Sequence, residues 1–276
     1  MKLYIDRIIE EALTEDIQFG DVTSNILFDS SFEVSAKFLA KENFILAGIN
    51  IARRVFEIVD PAISFKTMFR DGILIKNGEC FADVTGKIDK ILLAERVSLN
   101  FLQRLSGIAT KTYSFVQKVN DLPVKIVDTR KTTPCLRIFE KYAVRVGGGH
   151  NHRFGLFDGV LIKDNHIKAA GGIFNAVIKA KAKAPHTMKI EVEVRTLEEL
   201  EGALQGGADI IMLDNMDIET VKKGVAINNK KTLIEVSGGI NLENVRDYAL
   251  CGADIISVGA LTHHIKSLDL SLKAKK

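Results

Sequence analysis

Apolar positions along the chain fall into two successive texts with different periods. Over residues 4–13 they recur at helical spacing (Ile5, Ile8, Ile9, Ala12, Leu13), which predicts an amphipathic helix. An acidic, turn-rich stretch follows over 15–24. Residues 34–40 and 62–69 alternate well enough for strands, with a helix predicted between them over 49–59. Asp71-Gly72 and Lys76-Asn77-Gly78 carry turn chemistry for a small antiparallel sheet, and helical spacing returns over 90–105.

From about residue 122 the text changes. Seven short apolar runs appear in sequence: 124–127, 143–146, 160–162, 190–194, 210–213, 233–236 and 255–258. Most are nearly continuous in apolar residues, as strands buried on both faces must be. The later ones return every 21 to 23 residues, with helical text such as 197–204 and 218–226 between them. Repeated βα units of this period predict a parallel α/β barrel, and seven strands rather than eight predict a partly open one. The expected division is an N-terminal α+β domain over 1–110 and a barrel over 111–265. The tail, about 266–276, is expected to pack back onto the first domain.

Composition narrows the classes further. With 46% hydrophobic and 26% charged residues, the chain of 276 residues has ordinary globular usage. The net charge of +3 is small and dispersed, so composition gives no reason to propose a nucleic-acid partner. Acidic residues near the start (Asp6, Glu10, Glu11) do not suit a signal peptide, and no run approaches the length of a membrane span. Cys80, Cys135 and Cys251 are far apart and odd in number, fitting neither a disulfide framework nor a zinc site. A cytoplasmic protein with no membrane contact is expected.

The chemistry is expected where the strands end, because the βα loops of a barrel converge on one mouth. Arg130 and Lys131 follow the first strand, His152 and Arg153 the second, and Lys163 the third. Glu193 lies within or just past the fourth strand, and Asp214 follows the fifth. Ser237-Gly238-Gly239 follows the sixth and Gly259 the seventh. Cations thus come first, carboxylates next and glycines last. Bare glycine N–H groups can approach a phosphate, and the last two loops of such barrels are its usual seat. The layout suits a phosphorylated sugar carrying pyrophosphate and a carboxylated co-substrate.

At these residues the sequence resembles the quinolinate phosphoribosyltransferases, also called nicotinate-nucleotide pyrophosphorylases (carboxylating). The matching stretches include 15–24, 94–110, 128–137, 140–149, Asn151-His152-Arg153, 161–167, Leu213-Asp214-Asn215, Ser237-Gly238-Gly239-Ile240 and 257–261. Cys135 stands where the family commonly has glycine, and Val146 where it has cysteine. A paralogue associated with molybdenum transport lacks the full Lys163-Asp164-Asn165-His166 segment. The resemblance implies an N-terminal α/β sandwich followed by an incomplete α/β barrel. It implies transfer of phosphoribosyl from phosphoribosyl pyrophosphate to quinolinate with decarboxylation, in NAD biosynthesis, with Mg2+ as cofactor. A homodimer with a shared active site is also implied, in which Arg96 reaches the neighbouring subunit's quinolinate. Lys131, Lys163, Glu193 and Asp214 match catalytic positions. Arg130, Lys131, His152, Arg153 and Lys163 match residues around the carboxylates and pyrophosphate. Glu193 and Asp214 match the acids near the ribose and the metal, held mostly through substrate and water. Ser237, Gly238, Gly239 and Gly259 match the 5′-phosphate loops.

Blander readings stand beside these. Arg96 can merely snorkel from a helix surface. Glu191, one position removed from Glu193 on the same strand face, reads as structural, and His263 and His264 as a solvated helix start. Two other activities share the layout: a Schiff-base aldolase using Lys163, and a phosphate-ligand barrel without activity. No dinucleotide-binding or P-loop fingerprint is present.

Overall fold

The computed structural model describes residues 2–27 and 32–274. The chain divides into two compact units: residues 1–111 with 138–147 and 265–276, and residues 112–137 with 148–264.

The first unit begins with helices α1 (Lys2–Ile17) and α2 (Val22–Leu27). Then come β1 (Glu33–Ala40), β2 (Phe44–Ile45), α3 (Ile49–Val59), β3 (Ser64–Thr67), β4 (Leu74–Ile75), β5 (Cys80–Lys87) and the long α4 (Ile88–Lys118). Alternation along β1 buries Ala36, Phe38 and Ala40 on one face. There Phe38 meets Phe56 of α3 edge-on at 6.0 Å and Phe81 of β5 at 5.7 Å, an aromatic core between helix and antiparallel sheet. The sheet order is β12-β1-β5-β3, where β12 (Leu270–Ala274) is the chain's last strand. Lys275 and Lys276, at the end of the expected tail, lie outside the described residues. Helix α4 runs well past the predicted 90–105 because Ser106-Gly107 does not end it. A Cβ at Gly107 would lie 2.3 Å from the Lys266 carbonyl oxygen, so glycine there admits a close backbone crossing.

One predicted strand is corrected. Residues 143–146 form the last turns of helix α5 (Arg137–Val146), which groups with the first unit. Phe139, Ala143 and Val144 are buried at helical spacing, and Phe139 packs on Phe101 at 5.1 Å. Fully buried Glu140 accepts from Arg104 Nε at 2.8 Å. Removing the cation takes the charge partner from a buried carboxylate, so Arg104→Ala should lower unfolding free energy by about 3 kcal/mol in urea titrations. A loss under about 0.5 kcal/mol would show that the pair contributes little.

The second unit carries β6 (Lys125–Val127), β7 (Val160–Ile162), α6 (Asp164–Ala170), α7 (Ile173–Lys183), β8 (Ile190–Val194) and α8 (Leu197–Gly206). It continues with β9 (Ile210–Asp214), α9 (Ile218–Asn228), β10 (Leu233–Ser237), α10 (Val245–Leu250), β11 (Ile255–Ser257) and α11 (Ala260–His263). The strands form a six-stranded parallel sheet in the order β6-β11-β10-β9-β8-β7, an incomplete barrel whose edges are β6 and β7. In place of a seventh strand, His150 makes a single parallel bridge to Val127. Pairing Ser237 with both Asp214 and Ser257 sets three strand ends at one level.

Candidate active site

Strand alternation decides what enters the barrel. On β8, Ile190, Val192 and Val194 are apolar and of one phase, while Glu191 and Glu193 take the other. By strand register the same phase carries Met212 and Asp214 on β9, Glu235 and Ser237 on β10, and Ser257 on β11. Except for Glu191, these side chains line one cavity of about 430 Å³ together with Leu161 and Lys163. Ten of the twelve candidate residues line it: Arg130, Lys131, His152, Arg153, Lys163, Glu193, Asp214, Ser237, Gly238 and Gly239. Gly259 is not among the lining residues, but it lies beside the site: a Cβ there would come 3.3 Å from Lys131 Cδ. Arg96 is not among the residues lining this cavity; it is exposed on α4.

The loops that present these groups are tied down by specific bonds. Buried Asp128 accepts from the His152 backbone N–H at 2.9 Å and from Asn151 Nδ2 at 2.6 Å, bracing the second loop. The Arg137 guanidinium donates to Thr132 Oγ1 and to the carbonyls of Arg130 and Phe154, joining the first two loops. Thr262 Oγ1 donates to the Lys131 carbonyl at 2.6 Å. Lys163 caps α6, and its backbone N–H donates to His166 Nδ1 at 3.0 Å. The Lys-Asp-Asn-His segment thus fixes the lysine's backbone, while its ammonium contacts Glu193. Cys135 has φ 64°, a left-handed conformation that favours glycine.

Charge is uneven around the cavity. Burial first, then neighbouring Arg130, pushes the Arg153 guanidinium below its usual value. Its Nη1 donates to the Gly159 carbonyl at 3.0 Å, and its buried Nε has no partner among the described residues. Such a donor suits an incoming carboxylate. Sequence reasoning missed Asn215 and Glu235. Asn215, at φ 55°, donates through Nδ2 to Asp214 Oδ2 at 2.9 Å. Glu235 could have been found by the alternation that gives Glu193, two positions before a polar strand end.

His152, Glu191 and Glu235 form a buried trio below the mouth, with His152 Nε2 3.0 Å from Glu191 Oε2 and 3.6 Å from Glu235 Oε1. His152 Nδ1 accepts the Arg153 backbone N–H at 2.7 Å, so the ring proton belongs on Nε2, facing Glu191. A metal in this trio would need a lone pair on Nε2, so the three are read as a polar floor in which His152 and Glu191 are within hydrogen-bond reach and Glu235 Oε1 has no hydrogen-bond partner among the described residues. Both ring nitrogens of His152 are therefore engaged by the protein. Burial, then the adjacent Glu191 carboxylate, raises Glu235 from 4.5 to about 8. The folded state thus holds a proton that the unfolded chain has released at neutral pH. Stability from this group is full below about 4.5 and is lost as pH rises through about 8. Wild-type protein should lose unfolding free energy between pH 5 and pH 9, and Glu235→Gln should lose measurably less. Parallel losses in the two proteins would contradict the assignment.

A parallel barrel with cations, two acids and a Gly-Gly turn at one mouth defines an enzyme class that acts on phosphorylated polyanions. The comparisons with known proteins narrow it. Sequence models of the quinolinate phosphoribosyl transferase N-terminal and C-terminal domains match residues 21–106 and 108–273. The chain is 44% identical over 270 residues to a probable nicotinate-nucleotide pyrophosphorylase (carboxylating) of Bacillus subtilis, covering 98% of this chain and 93% of that protein. A crystal structure of NadC from Streptococcus pyogenes superposes with TM-score 0.95 at 41% identity, covering 100% of this chain and 99% of that one. The nicotinate-nucleotide pyrophosphorylase structure from Francisella tularensis gives 0.96 at 42% identity, covering 100% and 97%. The chain belongs to the quinolinate phosphoribosyltransferase family.

Proposed function

We propose that the chain transfers the phosphoribosyl group of phosphoribosyl pyrophosphate to the ring nitrogen of quinolinate. The products are nicotinate mononucleotide, pyrophosphate and carbon dioxide, in de novo NAD biosynthesis. The observation that carries this reading is a single cavity lined by Arg130, Arg153, Lys163, Glu193, Asp214 and the Ser237-Gly238-Gly239 turn.

Quinolinate brings two adjacent carboxylates beside a pyrophosphate, and like charges must be offset. Arg130, Arg153 and Lys163 supply the opposing charge, with His152 and Lys131 beside them, and guanidinium groups orient carboxylates by bidentate contact. Ser237, Gly238 and Gly239 suit the 5′-phosphate. As the bond to pyrophosphate breaks, positive charge grows on the ribose, and Glu193 and Asp214 are placed to favour it. The same two carboxylates, hard oxygen donors at the mouth, fit Mg2+, which binds through few protein ligands and keeps water and phosphate around it. Bound there, it would neutralise the leaving diphosphate. Loss of the 2-carboxylate as carbon dioxide leaves a carbanion beside a cationic ring nitrogen, which the substrate itself stabilises until it takes a proton from solvent.

Incubating purified protein with quinolinate, phosphoribosyl pyrophosphate and magnesium should yield nicotinate mononucleotide, and chelating the metal should stop it. No product at any magnesium concentration would refute the reading. The reading extends to a homodimer in the cytoplasm. Arg96, exposed on α4 and not among the cavity-lining residues, would serve the partner's site. Mixed Arg96→Ala and Lys163→Ala subunits should then recover about a quarter of wild-type activity, because half the random dimers carry one intact site. No rescue in verified mixed dimers would remove Arg96 from that role.

A further inference from the structure

Arg195 is the first residue past β8, and sequence reasoning gave it no role. Its backbone is fixed by the start of α8: its N–H donates to Glu199 Oε2 at 2.7 Å, while Thr196 Oγ1 accepts from the Glu199 N–H. The side chain, 59% exposed, leans over the rim of the cavity. Its three nitrogens address three carboxylates: Nη2 lies 3.7 Å from Glu193 Oε1, Nε 3.9 Å from Asp214 Oδ2, and Nη1 3.9 Å from Asp164 Oδ2. All three distances exceed hydrogen-bond length, so the guanidinium is held by charge alone. Each acid of the pair also has a firmer partner. Glu193 takes the Lys163 ammonium, and Asp214 Oδ2 accepts from Asn215 Nδ2 at 2.9 Å. Arg195 is thus the loosely held cation of the set, and exposed ion pairs of this kind cost little to break.

We propose that Arg195 is a positioning residue, a displaceable counter-cation of the Glu193–Asp214 pair that sets how tightly the pair takes a divalent cation. The inference rests on the proposed reading of that pair as the acids beside the metal and the ribose. Without an incoming cation, Arg195 offsets the repulsion between the two carboxylates. When a divalent cation arrives, the guanidinium yields to it and turns toward water or toward Asp164. Its exposed side chain can move without disturbing the capped backbone.

The test titrates Mn2+ alone into the full-length protein, following free Mn2+ by electron paramagnetic resonance. Arg195→Ala should bind Mn2+ about three- to tenfold more tightly than wild type, the range expected from losing two weak competing pairs. Arg195→Lys, which keeps the charge, should stay near wild type. In turnover assays the magnesium concentration for half-maximal rate should fall by a similar factor in Arg195→Ala. A merely structural role would loosen the metal site, not tighten it. Arg195→Gln checks the result in a second neutral variant, with thermal unfolding confirming the fold. Unchanged or weaker Mn2+ binding in the neutral variants overturns the proposal, as does undetectable Mn2+ binding by every form. A wild-type protein that makes no nicotinate mononucleotide would instead overturn the proposed activity, and the Mn2+ titration would still decide the role of Arg195.

Discussion

Lys163→Ala should lower kcat/KM for quinolinate by about a thousandfold, at the upper end of what removing one preorganised electrostatic contact costs. Three features argue for so large an effect. The ammonium is placed, not floating: its backbone is set by the α6 cap and the His166 bond, and its head by Glu193. It also touches one of the two acids assigned to the ribose, so its loss removes a positive charge and leaves Glu193 without its nearest counter-ion. Finally, the site must hold a dianion beside a polyphosphate, so one cation fewer raises the repulsion at the step where the reactants meet. The side chain is 44% exposed, so folding stability should change little. Steady-state kinetics at saturating phosphoribosyl pyrophosphate, with urea unfolding alongside, separate the two effects. Activity within tenfold of wild type would remove Lys163 from the reaction centre.

The parts of this site that were legible in the sequence share a physical cause. Strands that end at Asp214 and Ser237, and one that ends just before Lys163, stop at a change from apolar to polar, and a parallel barrel sends those changes to one mouth. Residues 143–146 were not legible, because Ala-Val-Arg-Val suits a short strand as well as a helix end. Only the burial of Phe139 and Glu140 three to four residues earlier decides between them. Glu235 was hidden by the reading of its strand as an apolar run, although the barrel interior takes every second residue and tolerates acids there. Arg195 looks like any charged residue opening a loop. Its meaning comes from Glu193, Asp214 and Asp164, which lie on three different segments. Arg96 marks the other limit: the family resemblance supplies its assignment, which does not follow from spacing.

Gly238→Ala should reduce kcat/KM for phosphoribosyl pyrophosphate by about a hundredfold, the cost of misplacing a binding element by roughly 1 Å. Gly238 has φ 96°, in the region that side chains avoid. A Cβ there would lie 2.2 Å from Asn215 Oδ1, 2.5 Å from Cγ and 2.9 Å from the Asn215 backbone nitrogen. The carboxamide cannot simply turn away, because its Nδ2 holds Asp214 and the Asn215 backbone N–H donates to the Ser237 carbonyl at 2.8 Å. Relief must therefore come from moving the phosphate turn, the Asp214 carboxylate or both. That couples the 5′-phosphate end of the site to its acidic end through one asparagine. KM for phosphoribosyl pyrophosphate should rise more than KM for quinolinate, and unfolding free energy should fall by about 2–3 kcal/mol from backbone strain and overpacking together. Gly239→Ala provides the contrast. Its φ of 64° carries strain, but an added Cβ meets nothing within 4 Å, so its stability loss should stay near 1 kcal/mol. If the two alanine variants lose equal stability and leave the phosphoribosyl pyrophosphate KM unchanged, the turn at 237–239 does not cradle that phosphate.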